Sequence, residues 1–134
     1  KSLNLEYLAQ NEYSSLSPDN EGVLLQNEPI IDRGYDLKNT LDLDNLNNIS
    51  NKNVKSEIST NAGKFMCNAN FYWNQYKINT QNLNTKFVFI HIPFTDKYKN
   101  LEPLINEEKL PVLSEDGIVN AIVGIINELS TIKI

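Results

Sequence analysis

"KFVFIHIPF" (86–94) decides how this chain is built. It is apolar on both faces until Pro93, which has no amide hydrogen to give a ladder and so stops the strand. A strand without a polar face belongs in a parallel sheet covered by helices on either side. Upstream, "LNLEYLAQN" (3–11) alternates Leu3, Leu5, Tyr7 and Ala9 with polar neighbours, the period of a strand. "SPDNEG" (17–22) is turn chemistry, and the stretch from Val23 to Leu41 reads as irregular or short-stranded. "LDLDNLNNISN" (41–51) spaces Leu43, Leu46 and Ile49 by three, a short helix, and "VKSEIS" (54–59) follows as a short strand. From Lys64 to Ile78 the pattern is helical, with Met66, Ala69, Trp73 and Tyr76 on one side. Downstream, "SEDGIVNAIVGIINELSTIKI" (114–134) is the clearest helix. Ser114 is its N-cap, Glu115 and Asp116 suit the positive end, and Ile118, Ile122, Ile125, Ile126 and Leu129 form a stripe. Strands alternating with helices predict an α/β layer fold with a mainly parallel sheet.

Composition narrows the class. The chain has 134 residues, 40% of them hydrophobic and 22% charged, which suits a single domain over 1–134. One cysteine rules out an internal disulfide, and one histidine beside it cannot complete a four-ligand zinc site. A reduced thiol fits the cytosol. No apolar run approaches membrane-spanning length, and Lys1-Ser2-Leu3 opens neither a signal nor a transit peptide. A net charge of −5 with Arg33 the sole arginine argues against nucleic acid as a partner.

The chemistry gathers at Cys67 and His91. Cys67 follows a predicted strand and the turn "STNAG", near the first turn of the next helix, where unpaired amides and the helix dipole favour an anion. The thiolate is the reactive form, and the same amides suit an oxyanion. A lone cysteine also reads as a small buried hydrophobe, and both readings stand at this point. His91 lies two residues before Pro93, hence at the carboxyl edge of the sheet, where sites in open α/β sheets collect. A Cys-His pair on one rim is a nucleophile and its base. Glu6 on the early strand is a candidate to orient the imidazole.

At these residues the chain resembles the pyroglutamyl peptidase I (pyrrolidone-carboxylate peptidase) family of cysteine exopeptidases. The matching positions are Ser59, Ala62, Gly63, Phe65, Cys67, Asn68, Phe71 and Tyr72, then Phe89, Ile90, His91, Ile92 and Pro93, with twenty-four positions from Cys67 to His91. Glu6, Ala9 and Asn11 match its glutamate segment, and Pro18, Asp19, Asn20 and Gly22 its Pro-Asp-Asn-x-Gly turn. The resemblance implies a three-layer α/β/α fold of the phosphorylase/hydrolase type, matched over the carboxyl two-thirds and lacking the family's N-terminal part. It implies removal of N-terminal pyroglutamate from peptides by Cys67, His91 and Glu6, with Phe65 and Met66 lining the pyroglutamate pocket. It implies no metal, no organic cofactor and a homo-oligomer. Leu16 stands where the family has an arginine, and a catalytically impaired relative acting as a binding or structural protein is the alternative.

Overall fold

The computed structural model describes residues 2–97 and 112–132. Its elements in chain order are β1 (Leu3–Glu6), β2 (Leu8–Ala9), β3 (Leu37–Lys38), α1 (Leu43–Ser50), β4 (Ser56–Ser59), α2 (Met66–Thr80), β5 (Phe89–His91), β6 (Phe94–Thr95), β7 (Val112–Leu113) and α3 (Glu115–Thr131). Strands β4, β1 and β5 form a sheet in that order. The Leu3 amide donates to Lys55 and the Tyr7 amide to Ser59, so β1 and β4 advance together and are parallel. The chain divides into two compact units.

The first unit comprises Lys1–Leu5, Asp42–Ile58 and Ile90–Ile134. Its helices α1 and α3 bury Leu43 and Leu46 from one, and Ile118, Ala121 and Ile125 from the other. They approach closely because position 124 is glycine, where a Cβ would stand 2.9 Å from the Ile49 Cγ2. Each helix starts on a side-chain cap: Asp42 accepts from the Asn45 amide, and Ser114 accepts from the Gly117 amide. The predicted α3 stripe holds at Ile118 and Ile125 and fails at Ile126, which is 58% exposed. Turning 100° per residue carries position 126 away from the face that 118 and 125 share. The strand expected over 86–94 is also shorter. Pro93 ends β5 as expected, but Phe94 and Thr95 then pair in parallel with Val112 and Leu113.

The second unit comprises Glu6–Leu41 and Ser59–Phe89. Here β2, from the stretch 3–11 read as one strand, pairs antiparallel with β3, from the stretch read as irregular or short-stranded, with Leu8 opposite Lys38 and Ala9 opposite Leu37. The core joins Ala9, Leu37, Ala62, Phe71 and Tyr72, with Phe71 stacked on Phe89 at 5.5 Å. Helix α2 does not bury the expected side. Met66 and Trp73 are half exposed, while Asn68, Phe71, Tyr72 and Gln75 are buried. Polar residues can face inward because their amides find partners: Asn68 bonds backbone groups of Gln10 and Glu12, and Gln75 donates to Asn79. Gly34 is needed for space, since a Cβ there would lie 2.7 Å from Asn11 Nδ2 and 2.9 Å from the Tyr72 hydroxyl.

Two outcomes follow for stability. Ile125→Ala should cost about 2–5 kcal/mol, whereas Ile126→Ala next to it should cost under about 0.5 kcal/mol. Urea midpoints of the two variants check this, and equal losses would contradict the assigned faces. Burial first, then Tyr76, Asp36 and Tyr35, holds the Tyr72 phenol above its ordinary value. The folded state thus keeps that proton more tightly. The associated stability is complete below the unfolded value, about pH 10, and is lost as pH rises through the higher folded value. The stability gap between wild type and Tyr72→Phe should therefore narrow above about pH 10; a gap that stays constant to high pH would exclude the burial effect.

Candidate active site

Helix α2 begins with Met66, and Cys67 is its second residue. The preceding Phe65 is the N-cap, has extended backbone and makes no side-chain cap bond. The amides of the first turn are therefore not taken up by the cap side chain. Cys67 is exposed, which removes the buried-hydrophobe reading. The turn before it is held locally: Ser59 Oγ accepts from the Asn61 amide, and Asn61 Oδ1 accepts from the Gly63 amide. Gly63 takes φ +78°, a left-handed conformation that any side chain would strain.

What fixes the start of α2 is Asn68, one residue after the cysteine and fully buried. Its Oδ1 accepts from the Gln10 amide at 2.9 Å, and its Nδ2 donates to the carbonyls of Gln10 and Glu12, each at 2.8 Å. Three bonds tie the helix to the chain that leaves β2. The same segment is joined further along by the Ser14 amide, which donates to the Lys64 carbonyl, and by Lys64 Nζ on Glu12 at 2.6 Å.

Phe65 and Met66 lie beside Tyr13. The Phe65 and Tyr13 rings are 5.9 Å apart, and the Tyr13 hydroxyl lies 3.8 Å from the Met66 sulfur. Met66 also borders a cleft of about 370 Å³ lined by Tyr13, Leu25, Pro29, Ile30 and Trp73. Tyr13 carries no periodic or motif signal, so the sequence gives no sign of this wall. It is placed by a bridge to Glu28, with amide-to-carbonyl bonds in both directions. Leu16, in the loop that follows, is 83% exposed.

Glu6 is fully buried at the end of β1, in the same unit as Phe65, Met66 and Cys67. His91 ends β5 and belongs to the first unit. It is half buried and borders a cavity of about 410 Å³. Among the described residues no three His, Cys, Asp or Glu side chains are grouped to hold a metal, and no helix is long and apolar enough to cross a membrane.

The sequence pattern of the pyroglutamyl peptidase family matches residues 1–131, nearly the whole chain. The chain belongs to the pyroglutamyl peptidase family. It is 31% identical over 123 residues to the pyrrolidone-carboxylate peptidase of Thermosipho africanus, covering 90% of this chain and 58% of that protein. To the pyrrolidone-carboxylate peptidase of Brachyspira hyodysenteriae it is 32% identical over 126 residues, covering 92% and 60%. The fold agrees. A mutant pyrrolidone carboxyl peptidase from Pyrococcus furiosus superposes with a TM-score of 0.85 at 21% identity, covering 99% of this chain and 65% of that one. The chain thus spans about three-fifths of the length of these two peptidases, and its α/β architecture is that of the family.

The Asn68 bonds give the expected result for this family member. Asn68→Ala leaves one amide and two carbonyls without their buried partner and should cost about 2–4 kcal/mol. Asn68→Asp keeps the acceptor and loses both donors, so it should not recover the loss. Urea unfolding measures the cost, and the alkylation rate of Cys67 reports whether the helix start has moved. A silent Asn68→Ala would show that these bonds do not hold α2.

Proposed function

We propose that the chain carries the chemistry of a cysteine exopeptidase that removes N-terminal pyroglutamate from peptides. The observation that carries this reading is an exposed cysteine at the second position of α2, in a chain of the pyroglutamyl peptidase family. The Cys67 thiolate attacks the carbonyl that joins pyroglutamate to the next residue. His91 takes the thiol proton and returns it to the amine as the C–N bond breaks. Water, deprotonated by the same imidazole, then splits the thioester and frees pyroglutamate and the thiol. Glu6 orients His91. The amides at the start of α2 are suited to stabilise the oxyanion, because they are aligned before charge develops. Phe65 and Met66 hold the apolar side of the pyroglutamate ring.

The substrate is a peptide with blocked N-terminus, neither nucleic acid nor membrane lipid. A cytosolic site accords with one unpaired thiol. Assembly into a homo-oligomer accords with the exposed Val119, Val123 and Ile126 of α3. The competing reading, a catalytically impaired relative, is favoured by Leu16, which supplies no charge where the family has an arginine.

Hydrolysis of a pyroglutamyl aminocoumarin amide separates the two. The wild type should release coumarin and lose this activity to iodoacetamide. Cys67→Ser and His91→Ala should each lower kcat/KM by at least about a thousandfold, the scale of removing a nucleophile or its base, and Glu6→Gln by less. Iodoacetamide should also react more slowly with Cys67 in His91→Ala. Turnover that survives Cys67→Ser would sink the cysteine mechanism, and absence of turnover in the wild type would favour the impaired relative.

A further inference from the structure

The cavity at His91 points to a second recognition element, an inference that rests on the peptidase reading. In that reaction His91 gives a proton to the amine of the residue following pyroglutamate, so that residue must lie against the imidazole. The cavity that His91 borders is about 410 Å³, within the range of small-ligand sites, and lies within the first unit. Ser2, Asn4, Lys55 and Glu57 line it on one side, together with the apolar Ile92 and Pro93.

The register explains this wall. Because the Leu3 amide bonds the Lys55 carbonyl in a parallel pair, Leu3 stands opposite Ser56. Both are buried, and alternation sends Ser2, Asn4, Lys55 and Glu57 to the other face. The two charges on that face are not equivalent. One oxygen of Glu57 already accepts from Ser2 Oγ at 2.5 Å. Lys55 has no carboxylate partner among the described residues. Lys55 is thus the group on that face left to pair with a carboxylate of a bound peptide.

We propose that this cavity holds the residue released from pyroglutamate, and that Lys55 makes an acidic side chain the preferred one there. Both charged groups are exposed, so the preference is modest, about threefold over a neutral side chain. Lys55 is a specificity residue and takes no part in bond breaking.

The full chain tests this directly, because His91 is its one histidine and gives a single set of imidazole NMR signals. The probes are the tripeptide amides Glu-Ala-Ala, Ala-Ala-Ala and Lys-Ala-Ala, which represent leaving groups. Glu-Ala-Ala should saturate the His91 shift at about a third of the concentration that Ala-Ala-Ala requires. Lys55→Glu should move the preference to Lys-Ala-Ala, and Glu57→Gln should widen the preference for Glu-Ala-Ala. Hydrolysis of pyroglutamyl-Glu and pyroglutamyl-Ala amides is measured in parallel. Shifts absent, or indifferent to charge in wild type and variants alike, overturn the cavity assignment even where hydrolysis occurs. Charge-ordered shifts without hydrolysis keep the cavity as a peptide site and overturn the peptidase reading instead.

Discussion

Three hydrogen bonds from one buried amide, Asn68, set the geometry on which the second unit depends. No other side chain of this length makes the same set. An aspartate would bring an uncompensated charge and lose both donors, and a leucine would orphan one amide and two carbonyls. The helix therefore begins at one place relative to the segment Gln10–Glu12, and the residue before the anchor has little freedom. That residue is Cys67. A reactive group on a helix end is normally subject to fraying; here the end is held from one position inside, which leaves the first turn open to a ligand while fixing it. Tyr13, only one residue past the anchored Glu12, inherits its place beside Phe65 and Met66 from the same bonds.

The first unit is organised differently, by division of a sheet into two chemistries. Leu3 and Leu5 are buried, as are Leu43 and Leu46 of α1 and Ile118, Ala121 and Ile125 of α3. Gly124 sets how near the helices come, and Asn45 locks them with a bond to Glu128 at 2.7 Å. The other face of the same strands is hydrophilic and borders His91. Alternation in two short strands thus supplies both the hydrophobic core and a polar surface beside a titratable ring.

Much of this was legible in the sequence. The cap at Ser114, the turn at Asp19 to Gly22 and the strand end at Pro93 are local chemistry, decided within four or five residues. The motifs around Cys67 and His91 specified the family and hence the α/β fold. Burial on α2 was not legible. Counting apolar residues favours Met66 and Trp73, yet the buried side includes Asn68 and Gln75, whose partners lie elsewhere in the chain or along the helix. Hydrophobic periodicity has no term for a satisfied amide. The β2–β3 pair was hidden for a related reason: two-residue strands carry too little pattern to stand out, and their pairing is long-range. The cleft beside Met66 escaped because Tyr13 and Glu28 meet only through backbone bonds, which any residue but proline can make.

The loop between Tyr13 and Glu28 closes almost entirely on itself. Asp19 Oδ1 receives the amides of Glu21 and Val23, and Ser15 exchanges bonds with Leu25. Its apolar side chains, Leu16, Val23, Leu24 and Leu25, are exposed and add little to the core. A segment built this way draws most of its order from its own bonds. It meets the region of the helix that carries Cys67 through the Ser14 amide, which donates to the Lys64 carbonyl, and through Leu25, which shares a cleft with Met66. Leu25 therefore puts one wall of the cleft on a segment held mainly by its own bonds, next to a helix start held by Asn68. The chain thus sets a part ordered from within beside a part ordered by long-range bonds, and both border one cleft.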